Sequence, residues 1–247
     1  MFLEPFTRLL ETHCTSAVVR AAAADPAATA PLAAALEASG FADLLLPEAD
    51  GGAGLPLASL TPFVLACGRH LLPLPFPEQM LARTHGAATP ESTAALSAAR
   101  LAGAMQRILE LSLDHLSTRE QFGRPLGKFQ ALQQQVAQMA EEVAAATLAA
   151  HIGFAGPIFA TERSAAAILR ASEAAAVVGA TAHQLHGAIG ATAEFDLHLY
   201  TNALRRWSRE AGPPADWALR LARHQLETSR ADTTAYIRNH LQPGAAP

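Results

Sequence analysis

The stretch STREQFGRPLGKFQALQQQVAQMAEEV, residues 117–143, sets a permanently charged guanidinium (Arg119), an amide (Gln121) and the pair Phe122-Gly123 ahead of a long helical pattern. A guanidinium suits phosphate because its planar fork of N–H donors meets two oxygens at once. A helix start adds unpaired amide donors and the positive end of the helix dipole, so the stretch reads as a candidate phosphate site. Pro125 is expected as the first residue of that helix, where its fixed φ suits the position and its missing N–H costs nothing. The alternative is an Arg119 paired with Glu120 or Glu141 and a Phe-Gly pair that only turns the chain. In QLHGAIGATAEFDLHLY, residues 184–200, Gly187 and Gly190 flank a turn where backbone can approach a ligand, and Gln184 could read an amide or adenine edge. The alternative there is a helix-to-helix corner with a glycine cap.

Other chemistry-bearing residues point nowhere together. His183, His186 and His198 lack cysteine or carboxylate companions at metal-ligand spacing, so no metal site is expected. Adjacent residues on a helix point about 100° apart, so Glu141 and Glu142 cannot share one small site and read as a solvated face. Ser172 and Ser208 have no recognisable histidine and acid partners for a hydrolase triad.

The elements that must position these residues are helical. Ala, Leu, Glu, Gln and Arg dominate, β-branched and aromatic residues are sparse, and alternating runs are short, which predicts an all-α chain. Helical patterns run over Phe2–Ala24, Pro31–Ser39 and Ala58–Leu71, with a proline- and glycine-rich loop at residues 44–57. The proline-rich passage at 71–92 is the expected boundary between an N-terminal helical region (1–90) and a C-terminal bundle (91–247). In the bundle, one helix from Thr93 carries Leu101, Met105, Ile108, Leu109 and Leu116 on a stripe. A second, from Pro125, carries Phe129, Leu132, Val136, Met139, Val143 and Thr147. A third is expected over Glu162–Gln184 and a last pair near Pro214–Thr228 and Asp232–Leu241, giving an antiparallel bundle.

Composition narrows the function further. Eighteen basic against twenty-two acidic residues, a formal charge of -4, argue against a nucleic-acid partner. Two distant cysteines, Cys14 and Cys67, fit a reducing compartment, so a cytoplasmic address is expected. The N-terminal residues lack the pattern of a signal peptide, and no uninterrupted apolar run reaches the roughly 20 residues that span a bilayer, so no membrane is expected.

Taken together, the two passages resemble the flavin signatures of the acyl-CoA dehydrogenase family, R-x-Q-F-G-x-P-L-x-x-F-Q and Q-x-H-G-G-x-G-x-T-x-E. Here they read Arg119-Glu-Gln121-Phe122-Gly123-Arg-Pro125-Leu126-Gly-Lys-Phe129-Gln130 and Gln184-Leu-His186-Gly187-Ala188-Ile-Gly190-Ala-Thr192-Ala-Glu194. GFADLLLPEADGGAGLPL (40–57) and CGRHLLPLPFPE (67–78) resemble the family's first helical domain. The resemblance implies that Arg119, Gln121, Phe122, Leu126, Gln130, Gln184, Gly187 and Ala188 hold the pyrophosphate and adenosine end of FAD at a subunit interface. It also implies an acyl-CoA substrate and an electron-transferring flavoprotein as downstream partner.

Two departures shape what is expected. Complete members carry a β-barrel domain between the helical regions, and here only THGAATPES (84–92) stands in its place. The family's catalytic glutamate, in an E-G-T run, falls at Ala211-Gly212-Pro213, one residue after Glu210, and an alternative family position falls near Thr93, two residues from Glu91. Glu210 is therefore the candidate base, with a helix-end acid beside Arg206 and Arg209 as the competing reading. The chain resembles the short subunits of heteromeric acyl-CoA dehydrogenases of bacterial steroid side-chain breakdown, which implies a barrel-containing partner holding the flavin ring, base and substrate. The alternatives are a flavin-free scaffold, or a self-sufficient homodimer using Glu210.

Overall fold

The computed structural model describes residues 1–228 and 232–241 of the 247. An N-terminal layer holds α1 (Leu3–His13), α2 (Ser16–Ala24), α3 (Ala30–Ala38), α4 (Thr61–Arg69) and α5 (Phe76–His85). The bundle holds α6 (Pro90–Thr118), α7 (Gln130–Gly153), α8 (Thr161–His186), α9 (Leu197–Glu210) and α10 (Pro214–Thr228), followed by a short α11 (Thr233–Tyr236) that runs into a π-type turn at Ile237–Leu241. Among the described residues the one sheet is a hairpin of β1 (Glu120–Gln121) and β2 (Arg124–Pro125). The all-α expectation holds.

Several expected boundaries move, each for a local reason. Phe2–Ala24 is two helices, because Thr15 turns extended and its hydroxyl caps α2 through the Val18 amide. The proline-rich passage contains α5, since Pro77 falls in the first turn, where proline is tolerated. The segment after Gly190, given no helix from sequence, forms α9 with Leu197, Tyr200, Thr201, Leu204 and Trp207 buried at three- and four-residue steps. The start of α6 rests on a reciprocal cap: Thr89 accepts from the Ser92 amide, Ser92 accepts from the Thr89 amide, and Pro90 opens the helix.

α6 is the axis of the fold. Every residue from Ser92 to Met105, save the half-buried Thr93, is buried, because α4 covers one side and α7, α8 and α9 cover the others. Two glycines make that crossing tight: a Cβ on Gly68 would run into the Arg100 backbone, and one on Gly103 into the Leu65 carbonyl. Around it, Phe6 packs on Phe41, Phe63 and Phe76 at centroid distances of 5.4, 5.2 and 5.9 Å, Arg69 of α4 grips Glu110 of α6 through two hydrogen bonds of 2.5 and 2.7 Å, and Tyr200 donates to the Arg69 carbonyl at 3.0 Å. One hydrophobic core therefore runs from Phe6 to Trp217 through both regions.

By length and mean hydropathy, Thr161–Ala191 is apolar enough to cross a bilayer. In the fold it is the helix against which α6, α7, α9 and α10 all pack. Its buried alanines give the close approach a bundle centre needs.

Candidate functional site

α6 ends at Arg119, whose backbone turns extended at φ -78, ψ 122. The chain then reverses: Glu120 pairs with Pro125 and Gln121 with Arg124, and Phe122 and Gly123 take φ 53 and 78 in the two-residue loop. A left-handed backbone costs a non-glycine residue about 1–2 kcal/mol. Here it holds the Phe122 ring 87% exposed at the tip, edge-on to Phe129 at 6.2 Å, while the Arg124 guanidinium lies 4.1 Å over the Phe129 ring. Leu126 donates to the Arg119 carbonyl at 2.8 Å and closes the base of the hairpin.

This corrects the expected role of Pro125. It sits on β2 ahead of a single 3-10 turn, Leu126–Lys128, and the long helix begins at Gln130. A proline without an N–H is accommodated at the edge of so short a ladder. It also corrects the dipole argument, since Arg119 stands at the carbonyl end of α6, where a helix favours cations. Any anion held there is drawn by the guanidinium itself and by the start of α7, which no side chain caps. Among the described residues Arg119 has no carboxylate within ion-pair distance; Glu120 and Glu141 are exposed. Glu142, expected on a solvated face, instead pairs with Arg170 of α8.

Gln184 lies exposed on the last turn of α8. Gly187 follows at φ 62, ψ -143, a region closed to side-chain-bearing residues, and nothing lies within 4 Å of where its Cβ would be. Ala188 is exposed beside it. Behind this turn His186 is 5% exposed, its Nδ1 2.8 Å from the Ala182 carbonyl, and it stacks on His115 at 4.6 Å and 25°. His115 lies one helical turn before Arg119, so this contact brings the two passages together. Sequence reading missed His115, although its four-residue spacing from Arg119 was available as a signal. Burial first holds both imidazoles below their ordinary pKa; His186 and then Arg119 push His115 further down, while the Ala182 and Leu111 backbone opposes the fall at His186 and His183 adds to it.

The other two histidines singled out from sequence, His183 and His198, are occupied. His183 Nε2 lies 3.2 Å from the Thr201 hydroxyl and His198 Nδ1 2.8 Å from the Phe195 carbonyl, and among the described residues no group of three or more His, Cys, Asp or Glu could hold a metal.

Glu210 ends α9 with its carboxylate 3.7 Å from Arg206 Nε, the pairing that the helix-end reading expects. It stands at a 720 Å³ cleft between α2, residues 71–75 and α9, floored by Glu78 and Arg100. Leu71, at φ 52, is a second left-handed non-glycine residue on that rim. Glu91 accepts from Thr161 and Arg220 and is engaged structurally.

The donor set on the hairpin and the open backbone at Gly187 suit a dinucleotide: a guanidinium for the diphosphate, amides at Gln121 and Gln184, an unshielded main chain. The profile described as "Acyl-CoA dehydrogenase, C-terminal domain" matches residues 91–214, half the chain. The chain belongs to the acyl-CoA dehydrogenase family. Both passages fall within that match. An acyl-CoA dehydrogenase, IpdE2, of Mycolicibacterium smegmatis is 38% identical over 133 residues, 53% of this chain and 42% of that protein. The 3-sulfinopropanoyl-CoA desulfinase of Paraburkholderia xenovorans is 37% identical over 115 residues, 44% of this chain and 29% of that protein. The matches thus span less than half the length of these curated relatives. Among acyl-CoA dehydrogenase folds of known structure, a chain of the Tcur3481-Tcur3483 steroid ACAD superposes with TM-score 0.76 at 20% identity, covering 93% of this chain and 98% of that one. A chain of the ChsE4-ChsE5 complex of Mycobacterium tuberculosis gives 0.75 at 17%, covering 93% and 97%.

Proposed function

We propose that this chain is a subunit of an FAD-dependent acyl-CoA dehydrogenase, which desaturates an acyl-CoA thioester, and that it lends the ADP-side contacts to a flavin site completed by a barrel-containing partner. The observation that carries the reading is the hairpin: Arg119, without an ion-pair partner among the described residues, beside an exposed Phe122 held in a strained backbone and presented outward. Such strain persists where the surroundings demand that geometry.

Two further observations support it. The position of the family's base is Ala211, and Glu210 beside it is tied to Arg206, so proton abstraction falls to the partner. The two solved folds matched over nearly their whole length come from two-component assemblies by name. In this reading residues 1–90 and 91–247 are the family's two helical regions joined without a barrel. Arg119 and the free amides of α7 hold the diphosphate, with Gln121, Phe122, Leu126 and Gln130 beside them. Gln184, Gly187 and Ala188 line the adenosine side, and the bound flavin supplies the hydride acceptor. Reduced flavin then passes electrons to an electron-transferring flavoprotein, and the assembly works in the cytoplasm.

The test is colour. The chain is co-expressed with a barrel-containing family member encoded beside it, purified, and the flavin absorbance recorded. A yellow complex bleached by acyl-CoA is the expected result, and a colourless complex or no complex sinks the shared site. Glu210 at the mouth of the cleft favours one rival, the self-sufficient homodimer. That rival predicts turnover by the pure chain that disappears in Glu210→Gln.

A further inference from the structure

We propose that His115 and His186 are positioning residues of the nucleotide grip: a stacked pair of neutral imidazoles that fixes the Gly187 turn against the end of α6 and releases it on protonation. The proposal rests on the shared-site reading above and names residues outside the donor set.

The geometry leaves little freedom. His186 is buried; its Nδ1–H donates to the Ala182 carbonyl, and its Nε2, beside the Leu111 backbone, has no hydrogen-bond partner among the described residues. Gly190 packs on it so closely that an added Cβ would sit 2.9 Å from the His186 Cβ, so ring and turn move as one. Phe195 closes on both imidazoles, at 4.9 Å from His186 and 6.4 Å from His115. One ring precedes Gly187 directly, and the other precedes Arg119 by one helical turn.

What distinguishes this pair from two phenylalanines is the proton. The groups whose charge reaches it are Arg119 from α6 and His183 from α8. On the Phe195 side, Asp196 is held by Arg20 and Ser16 of α2. Among the described residues no carboxylate lies within ion-pair distance of either ring. A proton on His115 therefore meets a neighbouring imidazole and a guanidinium with no carboxylate beside it, and separation of the rings relieves it. The grip is assembled when the pair is neutral and loosens as it is acidified.

The test uses the co-purified complex and measures flavin retention from about pH 5 to pH 8, across the ordinary histidine range. The wild type should lose flavin toward acid. His115→Phe, which keeps a stacking ring without a proton, should hold flavin at low pH. His115→Ala should bind about tenfold more weakly throughout, the scale of losing one or two preorganised groups. In the full chain alone, the two imidazole Cε1–H resonances should titrate as a coupled pair below the ordinary histidine value of about 6.5. A wild type whose retention is flat with pH, or a His115→Ala complex that retains flavin like the wild type, overturns the proposal. Arg119→Ala separates the two ideas: if it weakens retention while His115→Ala does not, the shared site stands and the pair falls. If Arg119→Ala also leaves retention unchanged, the shared-site reading falls and the pair's role with it.

Discussion

The Arg100 guanidinium of α6 lies 2.5 Å from a carboxylate oxygen of Glu78 on α5, with 9% of the arginine side chain and 34% of the glutamate side chain exposed. This pair forms the charged floor of the cleft that opens at Glu210.

Removing one partner of a fully buried pair costs roughly 3–5 kcal/mol. A third of the Glu78 side chain meets solvent, so Glu78→Gln should cost less, about 2 kcal/mol. Glu78→Met with Arg100→Met should cost less than the sum of the single changes, because no charge is then stranded. Denaturant midpoints of Glu78→Gln, the two single Met variants and the double check this, and strict additivity would refute a direct pair.

Phe122 combines a left-handed backbone with an 87% exposed ring. Phe122→Gly should stabilise the isolated chain by about 1 kcal/mol, the conformational cost it removes. The same change should weaken association with the partner. Thermal unfolding of the chain alone and titration of the complex should move in opposite directions; a destabilised chain would show that the ring packs at home.

Gly103→Ala should be costly although it adds one methyl. That methyl falls on the Leu65 carbonyl of α4, where backbone has no room to yield. Overpacking of this kind costs about 1–3 kcal/mol, and a melt within a degree of wild type would contradict the close crossing. Gly123→Ala, at a loop position with open space but φ 78, should cost about 1 kcal/mol.

Stability should fall with acid. His70, His115 and His186 are all held below the ordinary value of 6.5, in each case first by burial. The unfolded chain therefore binds more protons over that window, so the contribution is complete above about pH 6.5 and is lost as pH falls through the folded values. Glu110, lowered by Arg69 and Arg107 against the opposing effect of burial, adds a loss of the same sign below 4.5. Thermal midpoints from about pH 8 down to pH 5, across that histidine window, should decline, and a flat profile would refute buried neutral imidazoles.

Much of this architecture was legible because periodicity reports burial directly. Leu101, Met105, Ile108 and Leu116 do face the core, and so do Met139 and Val143. What failed was punctuation. Pro125 carries the same φ preference at a helix start, on a hairpin edge and before a 3-10 turn, and only pairing with Glu120 decides among them. α5 hid behind prolines that its first turn tolerates, and α9 behind the glycines before it. Of the candidate site, Arg119, Phe122 and Gly187 stood out in sequence as residue types out of place. His115, although four residues before Arg119, was passed over because a histidine near a helix C-terminus is explained by the dipole alone, and its partner lies 71 residues away in sequence.

The join at residues 86–88 is three exposed residues between α5 and the Thr89 cap of α6, and the two helical layers are already locked by glycine contacts that do not involve it. That makes the loop a socket. A folded module with neighbouring ends, spliced there, adds loop entropy that grows only logarithmically with length and strips no atom from the core, so the same chain can serve as a chassis for an inserted reporter domain.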